Sequence, residues 1–218
     1  MLRTKESNSI ECVQWAVSST LHPAPEAFAR TPEHPVLPLF INRWSPRSFK
    51  PEPIAKATLD SMVEAARWAP SSNNLQPWRF FITNGPGATR DGWNEAVNGW
   101  NRAWTDAAPA LVWVVARTMN PPSERHPHPT PNHHAHFDTG AAAMQFVLEG
   151  ERHGIKAHYL GGIDATKAHQ ILGLDADHEV VCAIVLGHPG PADTLPEMLK
   201  AREKPNGRKP HADVATFA

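Results

Sequence analysis

The chain has 218 residues, enough for one sizeable domain, with 41% hydrophobic and 20% charged residues, as in ordinary globular proteins. Its 21 Lys and Arg and 22 Asp and Glu give a formal net charge of −1, which argues against nucleic acid or an anionic membrane as the main partner, because both attract basic proteins. The sequence contains no apolar run of transmembrane length and no secretory signal pattern, so we expect a cytoplasmic protein.

The N-terminal part differs in composition from the rest. Prolines concentrate between Pro23 and Pro53, and the only apolar patch near the start is at 13–17, so residues 1–40 are predicted to form an extended, loosely ordered arm. Residues 41–218 contain no repeat and no linker, and we expect one domain. Within it, the Pro- and His-rich segment 119–136 is expected to be a variable loop.

The first predicted helix follows Pro53. In ATLDSMVEAARWAP the apolar residues recur with helical spacing until Pro70 stops the pattern. These apolar positions are Leu59, Met62, Val63, Ala66 and Ala69. A polar loop, SSNNLQP, leads into a predicted strand at 78–83, which is rich in aromatic and β-branched residues.

A second helix is predicted over 91–106, with Trp93, Val97, Trp100 and Trp104 on one stripe that indicates core or interface packing more than a substrate platform. The apolar run 110–116 is typical of a strand buried on both faces.

A long helix is predicted from near Phe137, with Asp138 as its N-cap and Gly154 at its end. The remaining elements are a short strand at 157–160, a short helix at 164–172 and a strand at 180–186. Because helices and strands alternate irregularly with long connections, we predict an α+β or α/β sandwich.

Three residues of the segment NRWSPRSF can share one face. In an extended chain alternate side chains point the same way, so Arg43, Ser45 and Arg47 would point together. Two guanidinium groups with a hydroxyl between them suit a phosphate. A surface basic strand would look the same from the spacing alone.

The loop from Pro70 to Trp78 carries several hydrogen-bonding side chains between two prolines. Because prolines restrict the loop, its amides and hydroxyls can be held in place for a polar ring edge. This composition favours a binding loop over a merely solvated one, without deciding between them.

Two features later in the chain are weaker signals. Gly161 and Gly162 precede a predicted helix and would let another group approach the backbone, although glycine pairs commonly mark simple turns. The sequence contains neither GxGxxG nor a P-loop, which disfavours those nucleotide sites. The basic segment 202–210 is either a solvated tail or a second contributor to the site at Arg43 and Arg47.

Together these segments resemble the nitroreductase family of FMN-dependent oxidoreductases. The resemblance is carried by RWSPRSFKPEPI and LDSMVEAARWAPSSNNLQPWRFF, and later by FDTGAAAMQFVLEGERHGIKAHYLGGIDA and VVCAIVLGHPG. It covers roughly residues 40–212. The N-terminal arm is longer than compact relatives have, and Asn206 stands where some relatives carry a basic residue.

The resemblance implies a fold, an assembly and a set of cofactor contacts. The fold would be a mixed, mostly antiparallel sheet flanked by helices, in a homodimer that binds FMN in its interface. The residues implied to hold the FMN are Arg43, Ser45, Arg47, Pro70, Ser71, Ser72, Asn74, Gln76, Gly161, Gly162, Arg208 and, less surely, Lys209. The backbone of Gly161 would lie near the reactive flavin nitrogen, and no side chain is assigned a catalytic role.

The implied activity is electron transfer from NAD(P)H, through FMN, to a small planar acceptor such as a nitroaromatic, a quinone or an enal, in a ping-pong order. Such chemistry needs few acid–base side chains, because the cofactor carries the electrons. Two alternatives stay open. One is a flavoprotein of the same fold that performs reductive dehalogenation or flavin destruction, and the other is a non-redox, His-rich binding protein.

The histidines of the Pro/His segment also suggest a metal. Five of them stand close together, at His126, His128, His133, His134 and His136. Prolines interrupt the segment, however, no cysteine accompanies it and no fixed ligand spacing recurs. We therefore predict no metal site.

Overall fold

A computed structural model describes residues 30–218 of the chain. The apolar patch at 13–17 and residues 1–29 of the predicted arm lie outside the described residues. None of the helices in residues 30–218 combines the length and the apolar character that crossing a membrane requires.

Helices and strands follow one another in mixed order. The helices are α1 (Pro38–Asn42), α2 (Lys56–Arg67), α3 (Ala88–Asn94), α4 (Gly99–Thr105), α5 (Ala135–Arg152), α6 (Ala165–Ile171) and α7 (Glu197–Lys200). The strands are β1 (Trp78–Asn84), β2 (Ala110–Arg117), β3 (Met119–Asn120), β4 (Thr130–Pro131), β5 (Lys156–Leu160) and β6 (His178–Gly187).

The centre of the fold is a four-stranded sheet in the order β1-β2-β6-β5. All three pairings are antiparallel, with one irregularity of register between Val114 and Val115. β3 and β4 form a separate small hairpin within the Pro/His segment. Helices pack on the sheet, so the predicted α+β class is confirmed.

The sheet separates two cores, because strand side chains alternate between its faces. On one face, Val112 and Val114 pack with α2 and α5. On the other, Leu111 and Trp113 pack with residues of α4, α6 and α7. Every residue of 110–116 is buried, so the prediction of a strand covered on both faces is confirmed.

Helix α2 buries a narrower stripe than its sequence predicts. Leu59, Met62 and Ala66 are buried, but Val63 remains 37% exposed. Adjacent positions on a helix are rotated by about 100°, so a seam against one neighbouring helix, here α5, cannot cover both Met62 and Val63 fully.

The single helix predicted over 91–106 is wrong, because α3 and α4 are separate helices. Between them Val97 forms a β-bridge with Ile163, and the Asn98 N–H donates to the Gly162 carbonyl at 3.1 Å. The Asn98 side chain caps α4 by accepting from the Asn101 N–H at 3.0 Å. The chain leaves the helix to pair with the glycine turn, and the tryptophan stripe is divided between two helices.

The prediction that Asp138 caps α5 is also wrong. The helix begins at Ala135, so Asp138 lies within its first turn, buried, and its carboxylate accepts from the Ser72 N–H at 2.9 Å. The predicted end of the helix is confirmed. The C-cap is His153, followed by Gly154 in the left-handed region at φ +71°.

The remaining predicted elements are confirmed within two residues at each end. They are the first helix, the strands that correspond to β1, β2, β5 and β6, and α6. Asp164 caps α6 by accepting from the Lys167 N–H at 2.9 Å. Residues 38–42, around the predicted end of the arm, form α1.

Replacing Met62 should test the packing of α2. We expect Met62→Ala to lower the free energy of unfolding by about 2–5 kcal/mol, because it removes a fully buried side chain from the α2–α5 contact. The matched control is Val63→Ala on the same helix, which should change it by about 0.5 kcal/mol or less. Urea unfolding followed by circular dichroism measures both, and equal losses would show that the helix faces are assigned wrongly.

Candidate active site

One cavity brings together basic residues from distant parts of the chain. This arginine cavity, about 440 Å³ in volume, is lined by Arg43, Ser45 and Arg47 from the segment before α2 and by Arg208 from the C-terminal segment. The sequence predicted these four residues as phosphate contacts. The structure places them around one space, and their binding of FMN stays a prediction.

Two contacts hold the segment that carries Arg43 and Arg47. The Lys156 ammonium donates to the Asn42 carbonyl at 3.2 Å and forms a buried ion pair with Glu151 at 2.6 Å. The ring of His158 hydrogen-bonds to the Pro46 carbonyl at 2.8 Å. Lys156 and His158 are two residues apart and lie on the same face of β5, so this edge strand supports one wall of the cavity.

Glu203 joins the C-terminal segment to the same wall. Its carboxylate accepts from the backbone N–H groups of Arg47 and Ser48, each at 2.9 Å. This contact brings Arg202 and Lys204, its neighbours in sequence, to the cavity lining. Glu203 thus ties the basic segment 202–210 to the domain, while Arg202, Lys204 and residues 206–210 stay exposed. Lys209 lines an adjacent groove instead of the arginine cavity.

Arg47 is held between an aromatic ring and other charges. Its guanidinium carbon lies 5.8 Å from the centre of the Trp104 ring. Burial lowers the pKa of Arg47, and Arg202 lowers it further, while Glu203 raises it. An anion in the cavity would relieve both unfavourable effects.

Arg30 is a cavity residue that the sequence did not indicate. Its guanidinium donates to the carbonyls of Ile41 and Arg43, each at 3.0 Å. Burial lowers the pKa of Arg30, and the neighbouring charges of Arg208 and Arg43 lower it further. An isolated arginine in an arm-like segment carries no periodicity or motif, so no sequence signal could have found it.

His158 was also missed. Its ring lies 4.6 Å from that of Trp104, and burial lowers its pKa from 6.5 to about 4. At neutral pH the ring is uncharged, with Nδ1 at the Pro46 carbonyl. The neutral ring limits the positive charge in a cavity that already holds five arginines. The signal available in the sequence was the spacing of Lys156 and His158, which are two residues apart in a strand and therefore lie on the same face.

The predicted binding loop has an unusual backbone. Asn73, Asn74 and Gln76 have φ of +51°, +55° and +47°, a region that costs energy for residues other than glycine. Hydrogen bonds hold it there. The Ser71 hydroxyl accepts from the Gln76 N–H at 2.9 Å, and the Gln76 side chain donates to the Asn74 side chain at 3.0 Å. Such strained loops cluster at functional sites.

Two buried groups anchor this loop to the core. Asp138 of α5 holds the Ser72 N–H, and Trp78, at the start of β1, is buried among residues of α2 and α5. The side chains of Asn73 and Asn74 and the ring of Pro70 remain exposed. One side of the loop is thus fixed to the core, and its other side is exposed to solvent.

The glycine pair faces two different environments. A Cβ added to Gly161 would meet no atom within 4 Å, whereas one added to Gly162 would lie 2.6 Å from the Asn101 side-chain nitrogen and closer still to that of Asn98. Gly161 therefore borders open space, while a side chain at Gly162 would displace the amides of Asn98 and Asn101. Asn98 and Asn101 had no motif that would have marked them.

Within one chain the two halves of the predicted site lie apart. The Ser71–Gln76 loop precedes β1, at one edge of the sheet, while His158 and the glycine pair belong to or follow β5, at the other. Three strand spacings separate these edges, about 14 Å. None of the loop residues lines the arginine cavity.

The Pro/His segment supplies no metal cluster to the site. In the part of the chain that the structure describes, no group of three or more His, Cys, Asp or Glu side chains is arranged to hold a metal ion. His136 instead lies 3.1 Å from the carboxylate of Glu179.

The pKa of His158 predicts a pH dependence of stability. The unfolded chain binds a proton at this residue below about pH 6.5, and the folded chain only below about pH 4, so the stability gained from the neutral ring is lost as the pH falls through this window. Between about pH 7 and pH 5 the parent should lose about 2 kcal/mol more than His158→Gln. Urea unfolding at both pH values measures the difference. His128→Gln, in the exposed loop, is the control, and identical pH dependence in parent and His158→Gln would contradict the prediction.

Comparison with known proteins places this geometry in a family. The model of the nitroreductase family matches residues 41–188. A CLA biosynthesis enone reductase of Lactiplantibacillus plantarum is 29% identical over 181 residues, covering 68% of this chain and 83% of that protein. An NADH dehydrogenase of Thermus thermophilus is 26% identical over 186 residues, covering 72% and 89%.

A solved structure agrees in fold and sequence. An oxidoreductase containing FMN superposes with a TM-score of 0.82 at 34% identity, over 86% of this chain and 93% of that one. The family model spans more than half of the present sequence, from just before Arg43 to the end of β6. The chain belongs to the nitroreductase family.

Proposed function

We propose that this protein is an FMN-dependent oxidoreductase that passes electrons from NAD(P)H to a small planar electron-poor acceptor, such as a nitroaromatic, a quinone or an enal. The observation that carries the proposal is the arginine cavity, which Arg43 and Arg47 line together with Arg208 from the other end of the sequence. The FMN-containing structural neighbour, the enone reductase and the NADH dehydrogenase support the same assignment.

The residues present fit the phosphate end of FMN. A phosphate dianion needs several donors of positive charge, and guanidinium groups bind it with paired hydrogen bonds. Arg30 adds to the fit, because its buried Nε has no acceptor within residues 30–218. In this proposal Arg43, Arg47 and Arg208 hold the phosphate, with Ser45 beside them.

The isoalloxazine end requires polar groups and open space beside a backbone. The Ser71–Gln76 loop supplies hydroxyl and amide groups on a rigid support, and Gly161 borders open space. Bound FMN would supply the redox chemistry, taking a hydride from the reduced nicotinamide and returning a hydride equivalent to the acceptor, with the accompanying proton from solvent. The chain's own residues bind and orient the ligand, and none needs to act as an acid or base.

The separation of the loop from the arginine cavity supports a homodimer. If one FMN contacts both, and they lie at opposite edges of one sheet, the simplest arrangement takes the cavity from one protomer and the loop from its partner.

We also propose that 41–218 acts as one domain, with 1–40 as an arm and the 119–136 segment tuning the choice of acceptor.

Comparing FMN with riboflavin isolates the phosphate contacts. Arg43→Ala and Arg208→Ala should each weaken FMN binding by about 10–100-fold, because each removes charge-assisted hydrogen bonds to the phosphate. Riboflavin lacks the phosphate, so its affinity should change by no more than about twofold. Fluorescence titration of the apoprotein measures both ligands.

The control for these variants is Arg125→Ala, which removes an exposed arginine of the Pro/His segment. It should leave both affinities unchanged. The proposal fails if the purified protein is colourless and takes up no FMN, or if the Arg43 and Arg208 variants bind FMN as the parent does.

Mixing two defective subunits tests the shared site. Arg43→Ala damages the cavity and Asp138→Asn weakens the anchor of the loop. In a co-expressed one-to-one mixture, about half of the dimers are mixed, and each has one site with an intact cavity and an intact loop. We expect about a quarter of all sites to bind FMN with parental affinity. A mixture without any such sites, although both variants form dimers, would place the cavity and the loop of one site in the same chain.

A further inference from the structure

A second cavity adjoins the arginine cavity. This apolar groove, about 820 Å³ in volume, is formed by residues 30–41 and by the C-terminal segment 205–214. Its lining includes Val36, Phe40 and Val214, which leave half or more of their surface exposed. The volume falls in the range of small-molecule sites, about 300–1,000 Å³. Exposed apolar side chains grouped around one space mark a binding surface.

The apolar groove and the arginine cavity share part of their walls. Arg30, Pro205 and Arg208 line both. Within residues 30–218 the Arg208 guanidinium donates from Nη1 alone, to the carbonyls of Asn206 at 3.3 Å and Gly207 at 2.8 Å. Its other N–H groups can serve a ligand. A phosphate held by the shared arginines therefore has the apolar groove beside it.

The groove combines a further cation with several rings. Lys209 lines it next to Arg208 in the sequence. The rings of His34 and His211 lie 4.9 Å apart, edge to face, and the His211 N–H is held by the Glu33 carboxylate at 3.2 Å. Phe40 adds a third ring to the lining. Aromatic faces suit a planar base, and cations suit a phosphate.

We propose that the site binds flavin adenine dinucleotide (FAD) as well as FMN, with the adenosine monophosphate half of FAD in the apolar groove. The inference rests on the proposed function. FAD is FMN extended at its phosphate by a second phosphate and adenosine, so the extension begins where Arg30 and Arg208 line both cavities. Lys209 then holds the second phosphate of FAD rather than the phosphate of FMN, and Phe40 contacts the adenine.

The charges of the two cofactors show why FAD needs the groove. The phosphate of FMN is close to a dianion at neutral pH, whereas each phosphate of FAD carries one negative charge. FAD held only by the arginine cavity would therefore gain less there than FMN gains. Contacts of the second phosphate and the adenine with the groove have to offset this loss.

Calorimetric titration of the apoprotein with FMN and with FAD tests the inference on the unmodified chain. We expect FAD to bind as tightly as FMN or more tightly, because the groove contacts add to those of the arginine cavity. FAD that binds more than about threefold more weakly than FMN overturns the inference.

Variants of the groove test its contacts. Phe40→Ala should weaken FAD binding by about tenfold, the effect of losing one aromatic face from a base, and Lys209→Ala by about fivefold. FMN affinity should change by less than about twofold in both. The control is Leu37→Ala at the start of the same helix, where an exposed side chain does not line the groove. It should change neither affinity. Equal weakening of FMN and FAD by the groove variants overturns the inference.

Size-exclusion chromatography of the same variants identifies a groove that a second copy of the chain covers instead. If Phe40→Ala turns a dimeric parent into a monomer and leaves the ratio of the FAD and FMN affinities unchanged, the inference is wrong. A parent that binds neither cofactor overturns the proposed function and this inference together. A parent that binds FMN tightly and FAD weakly overturns this inference alone.

Discussion

Like-charge repulsion in the arginine cavity is the constraint on which the rest of the site depends. Six cationic side chains line one space, and the pKa values of Arg30 and Arg47 are lowered in part by their neighbours. The nearby carboxylates are already engaged, Glu203 by backbone N–H groups and Glu151 by Lys156. These two carboxylates thus hold the walls of the cavity together. The cavity keeps an excess positive charge that an anionic ligand can neutralise.

The sheet explains why such a site lies at its edges. Its central strand β2 is buried on both faces along residues 110–116 and offers no space for a ligand. The edge strands β1 and β5 instead adjoin segments with exposed residues, the strained Ser71–Gln76 loop before β1 and the glycine turn after β5. In the proposed function one ligand contacts both edges and would need two copies of the sheet. The proposed dimer would then follow from the position of these segments rather than from an apolar surface alone.

The sequence predicted the elements whose signals are local and missed those that depend on distant partners. Helix α2 and the strands β1, β2 and β6 have clear periodicity, and they lie close to where it places them. The break between α3 and α4 was missed because it arises from pairing with Ile163 and Gly162, about sixty residues later. Asp138 was misassigned for the same reason, since its partner, Ser72, lies on another segment. The arginines were found by spacing and family resemblance, but Arg30 and His158 belong to the cavity only through tertiary contacts.

Gly161 and Gly162 show how much of this site the backbone carries. In the sequence they are equivalent, and a glycine pair indicates only that something comes close. In the structure, Gly162 is small because α4 lies against it, while no protein atom restricts the space beside Gly161. The same turn therefore meets two demands, tight packing against the protein on one side and access for a ligand on the other. A side chain at Gly162 would displace the amides of Asn98 and Asn101 at the start of α4, whereas one at Gly161 would meet no protein atom within 4 Å.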